Sequence, residues 1–151
     1  VKRFPNVIIA RTFSKAYGLA GCRVGYGIAQ PELLELINRV RHPFNVNDLS
    51  QLAAIAALED QEFLETTLKN NREGIAQLAK AFDELGLSYM GLHSNFITVK
   101  VGDGAKIVGE LLKKGIIVRK MNSYDLPEWI RVTVGTKEQN ERFLEELKEL
   151  L

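Results

Sequence analysis

Phe63, Leu64, Leu68, Ile75, Leu78, Phe82 and Leu85 recur at helical spacing along one stripe that ends at Gly86. A strand alternates every two residues and a loop has no period, so this stretch is committed to one amphipathic helix. At about 25 residues it is long for a globular protein, and a helix of that length suits a connector between two folded units. The expected boundaries are 1–60 for the first unit, 61–86 for the helix and 87–151 for a small second domain. Asp60 can cap the helix start, and Gly86 is a natural stop because glycine enters the left-handed conformation without a steric penalty.

Ahead of the helix, residues 7–10 are short, β-branched and apolar, and read as a buried strand. Residues 11–27 carry Gly18, Gly21, Gly25 and Gly27 with no helical period, which predicts a loop passing into a second strand near 24–29. Pro31 suits a first helical turn, Leu33, Ile37 and Val40 continue the helix to about Arg41, and Pro43 ends it. Residues 48–58 are an alanine-rich helix whose small side chains let another backbone come close. After Gly86, strands are expected at 87–90 and 95–101, followed by a turn at 102–104. A helix carrying Ile107, Val108, Leu111 and Leu112 closes at Gly115, and further strands are expected at 116–119 and 129–134. Thr136 and Gln139 have capping-box spacing before a last helix. This order implies a small α/β or α+β domain with Phe96, Ile107, Leu111, Val118, Val132, Phe143 and Leu147 in its core.

Composition narrows the function classes. Hydrophobic residues at 46% and charged residues at 26% support a buried core rather than disorder. Twenty Lys and Arg against nineteen Asp and Glu leave a net charge of +1, so no partner among nucleic acids or anionic membranes is expected. Cys22 is the sole cysteine, and His42 and His93 stand alone, so neither a disulfide nor a metal site is expected. A lone cysteine and the lack of a membrane-length apolar run or signal peptide point to a cytoplasmic protein. The chain opens on Val1 without an initiator Met, as if cut from something longer.

The chemistry concentrates in residues 12–26, Thr-Phe-Ser-Lys-Ala-Tyr-Gly-Leu-Ala-Gly-Cys-Arg-Val-Gly-Tyr. Ser14 and Lys15 sit on a glycine-rich loop after a strand, and Arg23 follows eight residues after Lys15. A lysine near a desolvated site and another cation can lose its proton and become a nucleophile. A hydroxyl, a guanidinium and loose backbone amides are suited to holding a phosphate. The glycine spacing matches neither the dinucleotide fingerprint nor the phosphate-binding P-loop. On residue types alone, the stronger reading of Lys15 and Arg23 is as ordinary surface charges on a flexible loop.

The full string, Ser14-Lys15, then Gly-Leu-Ala-Gly, then Arg23-Val-Gly-Tyr26, resembles the cofactor-lysine segment of the fold-type I aminotransferases that use pyridoxal 5'-phosphate (PLP). The resemblance is to their histidinol-phosphate branch. It continues through Arg41-His-Pro-Phe-Asn-Val-Asn47, Ser94-Asn-Phe96, Gly115-Ile-Ile-Val-Arg119 and Ile130-Arg131-Val-Thr-Val-Gly-Thr136. It implies an α/β fold made of the end of a large domain plus a small α/β domain. It implies that Lys15 forms the Schiff base with PLP and that Ser14 and Arg23 bind the cofactor phosphate. It also implies that Arg131 binds the substrate carboxylate and that Arg119 lies near the substrate's phosphate end. Both arginines offer the planar, permanently charged fork those groups need. Arg119 also reads as a solvated strand-end charge, whereas Arg131, inside an apolar strand, needs a partner if it points inward.

The other polar residues have plainer readings. Asn45 and Asn47 can face a site or cap a helix, Tyr17 and Tyr26 can pack, and His42, Cys22 and Trp129 read as structural. In the resembled family, the acid at the cofactor's pyridine nitrogen, the ring-stacking aromatic and the Asn and Tyr at its oxygen lie upstream of the lysine strand, where this chain has nothing to supply them. The expectation is therefore a parent enzyme, a homodimer, that moves an amino group between histidinol phosphate and 2-oxoglutarate (or glutamate), with the isolated chain inactive. The alternatives are a non-catalytic, self-associating fragment or another PLP branch, either an aromatic aminotransferase or a threonine-phosphate decarboxylase.

Overall fold

The computed structural model describes residues 3–151. The chain divides into two compact units, Val1–Thr67 and Leu68–Leu151, with the boundary inside the long helix.

In the first unit, β1 (Ile9–Thr12) pairs antiparallel with β2 (Gly25–Ile28), Ile9 against Ile28 through Thr12 against Gly25. The two strands make a sheet of their own. β1 begins two residues later than expected because Val7 N–H closes a turn onto Phe4 O at 3.3 Å. The expectation of a buried strand does not hold in this structure. All four β1 residues are exposed, and Ile8 keeps 48% of its surface, because a two-stranded ribbon has no sheet neighbours on its outer edges. The loop between the strands includes a 3-10 turn at Ala20–Cys22. Beyond β2 come α1 (Pro31–Val40), with proline in its first turn as expected, and α2 (Asp48–Glu59). Asn47 caps α2 by accepting from Ser50 N–H at 2.9 Å, the helix-capping alternative for that residue. Asp60 accepts from Phe63 N–H at 3.0 Å at the start of α3 (Gln61–Glu84).

The core of this unit is Phe13, Val24 and Ala54, with Tyr17, Leu19, Cys22 and Val46 packed around it. Buried Ser50 and Ala54 lie one helical turn apart, on the face of α2 that meets the loop. That is the close backbone approach its small side chains permit.

The second unit is a four-stranded sheet backed by helices. Its strands are β3 (Tyr89–Met90), β4 (Phe96–Lys100), β5 (Arg119–Lys120) and β6 (Trp129–Thr133), in the order β3-β4-β6-β5 with every neighbour antiparallel. Two helices complete it, α4 (Gly104–Lys113) and α5 (Lys137–Leu150). Ile97, Val99, Ile130 and Val132 alternate onto one face and are buried with Leu78, Phe82, Ile107, Leu111, Phe143 and Leu147. The capping box at Thr136 and Gln139 is present.

Two expected strands start late for one reason. Gly86 and Gly115 both take positive φ, and the next residue donates back into the helix, Leu87 to Phe82 O and Ile116 to Leu111 O, each at 2.9 Å. Such a left-handed helix stop uses the backbone groups a strand would need. Phe96, expected in the core, is only partly buried, because it lies on the opposite face of β4 from Ile97 and Val99. Val118 is half-buried and packs against the core. The fold is mixed α/β, and among the described residues no helix is long and apolar enough to cross a membrane.

Candidate functional site

The loop between β1 and β2 is stapled shut from inside. Phe13 N–H donates to Val24 O at 3.2 Å, Leu19 N–H to Phe13 O at 3.0 Å, Gly18 N–H to Lys15 O at 2.9 Å and Cys22 N–H to Leu19 O at 3.1 Å. The Phe13–Val24 bond continues the β1–β2 register by one pair beyond Thr12 and Gly25. The flanking residues are then Ser14 on one side and Arg23 on the other, with Lys15 next to Ser14. Phe13 anchors this end: it is 4% exposed and its ring stacks 4.9 Å from Tyr17 and 5.9 Å from Tyr26. Both tyrosine rings pack against Phe13 at tilted angles.

Arg23 has φ 51 and ψ 44, a left-handed conformation that costs a non-glycine residue roughly 1–2 kcal/mol. Its guanidinium donates to Ala20 O at 2.8 Å, which folds the side chain back on the turn. Gly25 allows the ladder to close here, since a Cβ on it would lie 2.5 Å from Arg11 O. Thr12 and Ser14 share a hydroxyl–hydroxyl bond of 2.9 Å in which Thr12 donates, leaving the Ser14 proton available for an acceptor. Thr12 Oγ1 also accepts from Ser14 N–H at 3.1 Å.

No carboxylate occurs in residues 12–26, and among the described residues none forms an ion pair with Lys15 or Arg23. The donor set of hydroxyl, ammonium and guanidinium fits a phosphate-bearing aldehyde, with Ser14 and Arg23 for the phosphate and the Lys15 amine for the carbonyl carbon. Lys15 is exposed, so the described residues provide no burial around it.

The two other candidate residues lie in the second unit. Arg119 and Arg131 are register partners on β5 and β6, so their side chains leave the same face of the sheet, and Thr98 continues the row on β4. Arg131 is half-buried, and its guanidinium carbon sits 4.7 Å from the Phe96 ring centroid. Its Nε is buried and has no hydrogen-bond partner among the described residues. Arg119 is exposed, with its guanidinium 5.9 Å from the Tyr124 ring. No ion pair to either arginine occurs among the described residues. Two cations opposite each other without a carboxylate are unfavourable unless an anion joins them.

The structure thus groups Ser14, Lys15 and Arg23 in one unit and Arg119 and Arg131 in the other. Sequence reasoning did not single out Thr12 or the stacking role of Phe96. A hydroxyl two residues before Ser14 was a visible cue for the first. The second needs the strand register, which the sequence does not carry. His42 is exposed, and no cluster of three metal-ligating side chains occurs among the described residues.

Residues 1–147 match the family model for aminotransferase class I and II. A histidinol-phosphate aminotransferase 2 from Ralstonia nicotianae is 54% identical over 144 residues, covering 93% of this chain and 38% of that protein. The crystal structure of the histidinol-phosphate aminotransferase from Clostridium acetobutylicum superposes on 99% of this chain and 47% of its own, with a TM-score of 0.89 at 25% identity. The Sinorhizobium meliloti histidinol-phosphate aminotransferase, solved in complex with pyridoxal-5'-phosphate, covers 97% of this chain and 42% of its own, with a TM-score of 0.77 at 33% identity. The chain spans about two fifths of the length of the curated relatives it matches. By the family match and these identities, the chain belongs to the class I and II aminotransferases.

Proposed function

We propose that this chain forms part of a PLP-dependent aminotransferase of histidine biosynthesis that moves an amino group between histidinol phosphate and 2-oxoglutarate. The observation that carries this reading is the stapled loop, with Ser14 and Arg23 flanking the Phe13–Val24 bond, Lys15 beside them and no acid among them. The high identity to histidinol-phosphate aminotransferases favours this branch over the aromatic and threonine-phosphate ones.

PLP, when bound, supplies an electron sink for chemistry at the carbon that bears the amino group. Lys15 would hold the cofactor through its amine, and the same amine could hold and move a proton near that carbon. Ser14 and Arg23 bind the phosphate and so set the cofactor's orientation. Arg131, backed by Phe96, binds the substrate carboxylate or its counterpart, and Arg119 reads the phosphate end. The domain reading is 1–60 for the end of a large cofactor-binding domain, 61–86 for the connecting helix and 87–151 for the small domain. The working enzyme is a cytoplasmic homodimer, and the 151-residue chain alone has negligible turnover.

Borohydride reduction of the chain with PLP, followed by peptide mapping, tests the assignment. Label is expected on Lys15 in preference to every other lysine. Lys15→Ala should abolish the adduct without unfolding the chain, since this exposed side chain contributes little to the core. Label spread evenly over the lysines would reject the assignment. Turnover by the 151-residue chain at ordinary enzyme rates would reject the inactivity.

A further inference from the structure

Ser50 has a hydroxyl that neither the helix nor the proposed chemistry accounts for. It is the third residue of α2 and 3% exposed. Its backbone N–H is already satisfied by Asn47 Oδ1 at 2.9 Å, so the helix start needs nothing from its side chain. The hydroxyl instead donates to Cys22 O at 2.7 Å, across 28 residues of sequence. That carbonyl belongs to the peptide plane joining Cys22 to Arg23, whose orientation fixes φ of Arg23. Arg23 is held there at φ 51, in the region non-glycine residues avoid. A free peptide plane would rotate toward the right-handed or extended regions and carry the side chain away. The tether lies beside the Phe13, Val24 and Ala54 core, which limits a water molecule's ability to replace the hydroxyl.

We propose that Ser50 is a positioning residue for Arg23: its hydrogen bond to the Cys22 carbonyl fixes the 22–23 peptide plane and holds the Arg23 guanidinium ready for a cofactor phosphate. The proposal rests on the cofactor reading given above. It makes α2 part of the phosphate site's construction through the Cys22 carbonyl. The alanines around Ser50 then serve to bring the helix within hydrogen-bond reach of the loop.

The test compares PLP with pyridoxal, the same aldehyde without the phosphate, on the 151-residue chain. Each is titrated, trapped with borohydride and quantified at Lys15 by peptide mapping. The wild-type chain is expected to label at lower PLP than pyridoxal concentration. Ser50→Ala should raise the PLP concentration needed by about tenfold, the factor that ~1.4 kcal/mol represents, and leave the pyridoxal curve in place. Ser50→Thr, which keeps the donor, should retain the preference for PLP. A wild-type chain with no preference for PLP would bring down the cofactor reading itself. A wild-type preference that survives intact in Ser50→Ala would overturn the positioning role alone. Equal weakening of both ligands, loss of helical circular dichroism in Ser50→Ala, or a Ser50→Thr chain that behaves like Ser50→Ala would mark Ser50 as merely structural and overturn it too.

Discussion

Arg119 and Arg131 face each other directly across β5 and β6, and among the described residues no carboxylate pairs with either. Like charges opposite one another in a sheet repel, so an anion bound between the two guanidiniums would relieve that repulsion. In the longer enzyme, Arg131→Ala should weaken substrate binding by about 2–5 kcal/mol, the range for truncating one partner of a desolvated charge pair. Arg119→Ala should cost more with the phosphorylated substrate than with a phosphate-free amino acid. Steady-state constants for both substrates provide the measurement, and equal losses would mean that Arg119 does not read the phosphate.

Gly74 carries a packing prediction inside the second unit. It is buried in α3, and a Cβ there would meet the Val134 side chain at less than contact distance and Asn140 Nδ2 at 2.9 Å. Asn140 is 2% exposed, accepts from Gly135 N–H at 2.9 Å and donates to Gln77 Oε1 at 3.1 Å. Displacing it would break the clamp on the chain that leaves β6. Gly74→Ala gains helix propensity but overpacks a fixed contact, so it should destabilise by about 1–3 kcal/mol. Urea unfolding of the pair of proteins measures this, and a stabilised Gly74→Ala would show that the contact yields.

The first unit exposes enough apolar surface for the 151-residue chain to associate in isolation. Leu49, Leu52 and Ile55 recur every three residues along α2 at 79%, 63% and 57% exposure, and Phe44 is 99% exposed. The β1–β2 ribbon adds unpaired strand edges, which favour pairing with another copy. Sedimentation velocity at micromolar concentration should show species larger than a monomer. Leu52→Lys with Ile55→Lys should shift the distribution toward monomer, and a clean wild-type monomer would defeat the expectation.

Much of this architecture is written in local patterns. The stripe from Phe63 to Leu85 becomes α3, and the Thr136–Gln139 spacing becomes a working capping box, because helix period and capping depend on residues a few positions apart. The strands after Gly86 and Gly115 start later than their residue types imply because a helix stop competes locally for the same N–H groups. The exposure of β1 could not be read from its β-branched residues, since burial depends on which strands lie alongside. The loop's string pointed to Ser14, Lys15 and Arg23, but the Ser50–Cys22 bond, the Arg131–Phe96 stacking and the opposition of Arg119 and Arg131 are products of long-range register.

Lys114 joins the end of α4 to α5 and gives the second unit a pH signature. Its ammonium donates to Glu146, and to Glu149 at 2.6 Å, while Arg142 donates to Lys114 O at 2.7 Å. The hydrogen bonds to Glu146 and Glu149 raise the Lys114 pKa above the ordinary lysine value, and the bond from Lys114 lowers that of Glu149 below the ordinary carboxylate value. For a raised lysine, the stabilisation is complete below its unfolded pKa and is lost as pH climbs through the higher folded value. For a lowered carboxylate, it is complete above the unfolded pKa and is lost as pH falls through the lower folded value. The cluster should therefore contribute at neutral pH and fade at both extremes. Lys114→Met removes the charge and keeps most of the stem. The Tm difference between wild type and this variant should be greatest from about pH 6 to 9, the window between the ordinary carboxylate and lysine pKa values, and should shrink toward zero in acid. Thermal melts across that range, in low salt to limit screening, supply the test. A Tm difference that stays constant into strong acid would assign the effect to lost packing of the lysine stem rather than to its charge.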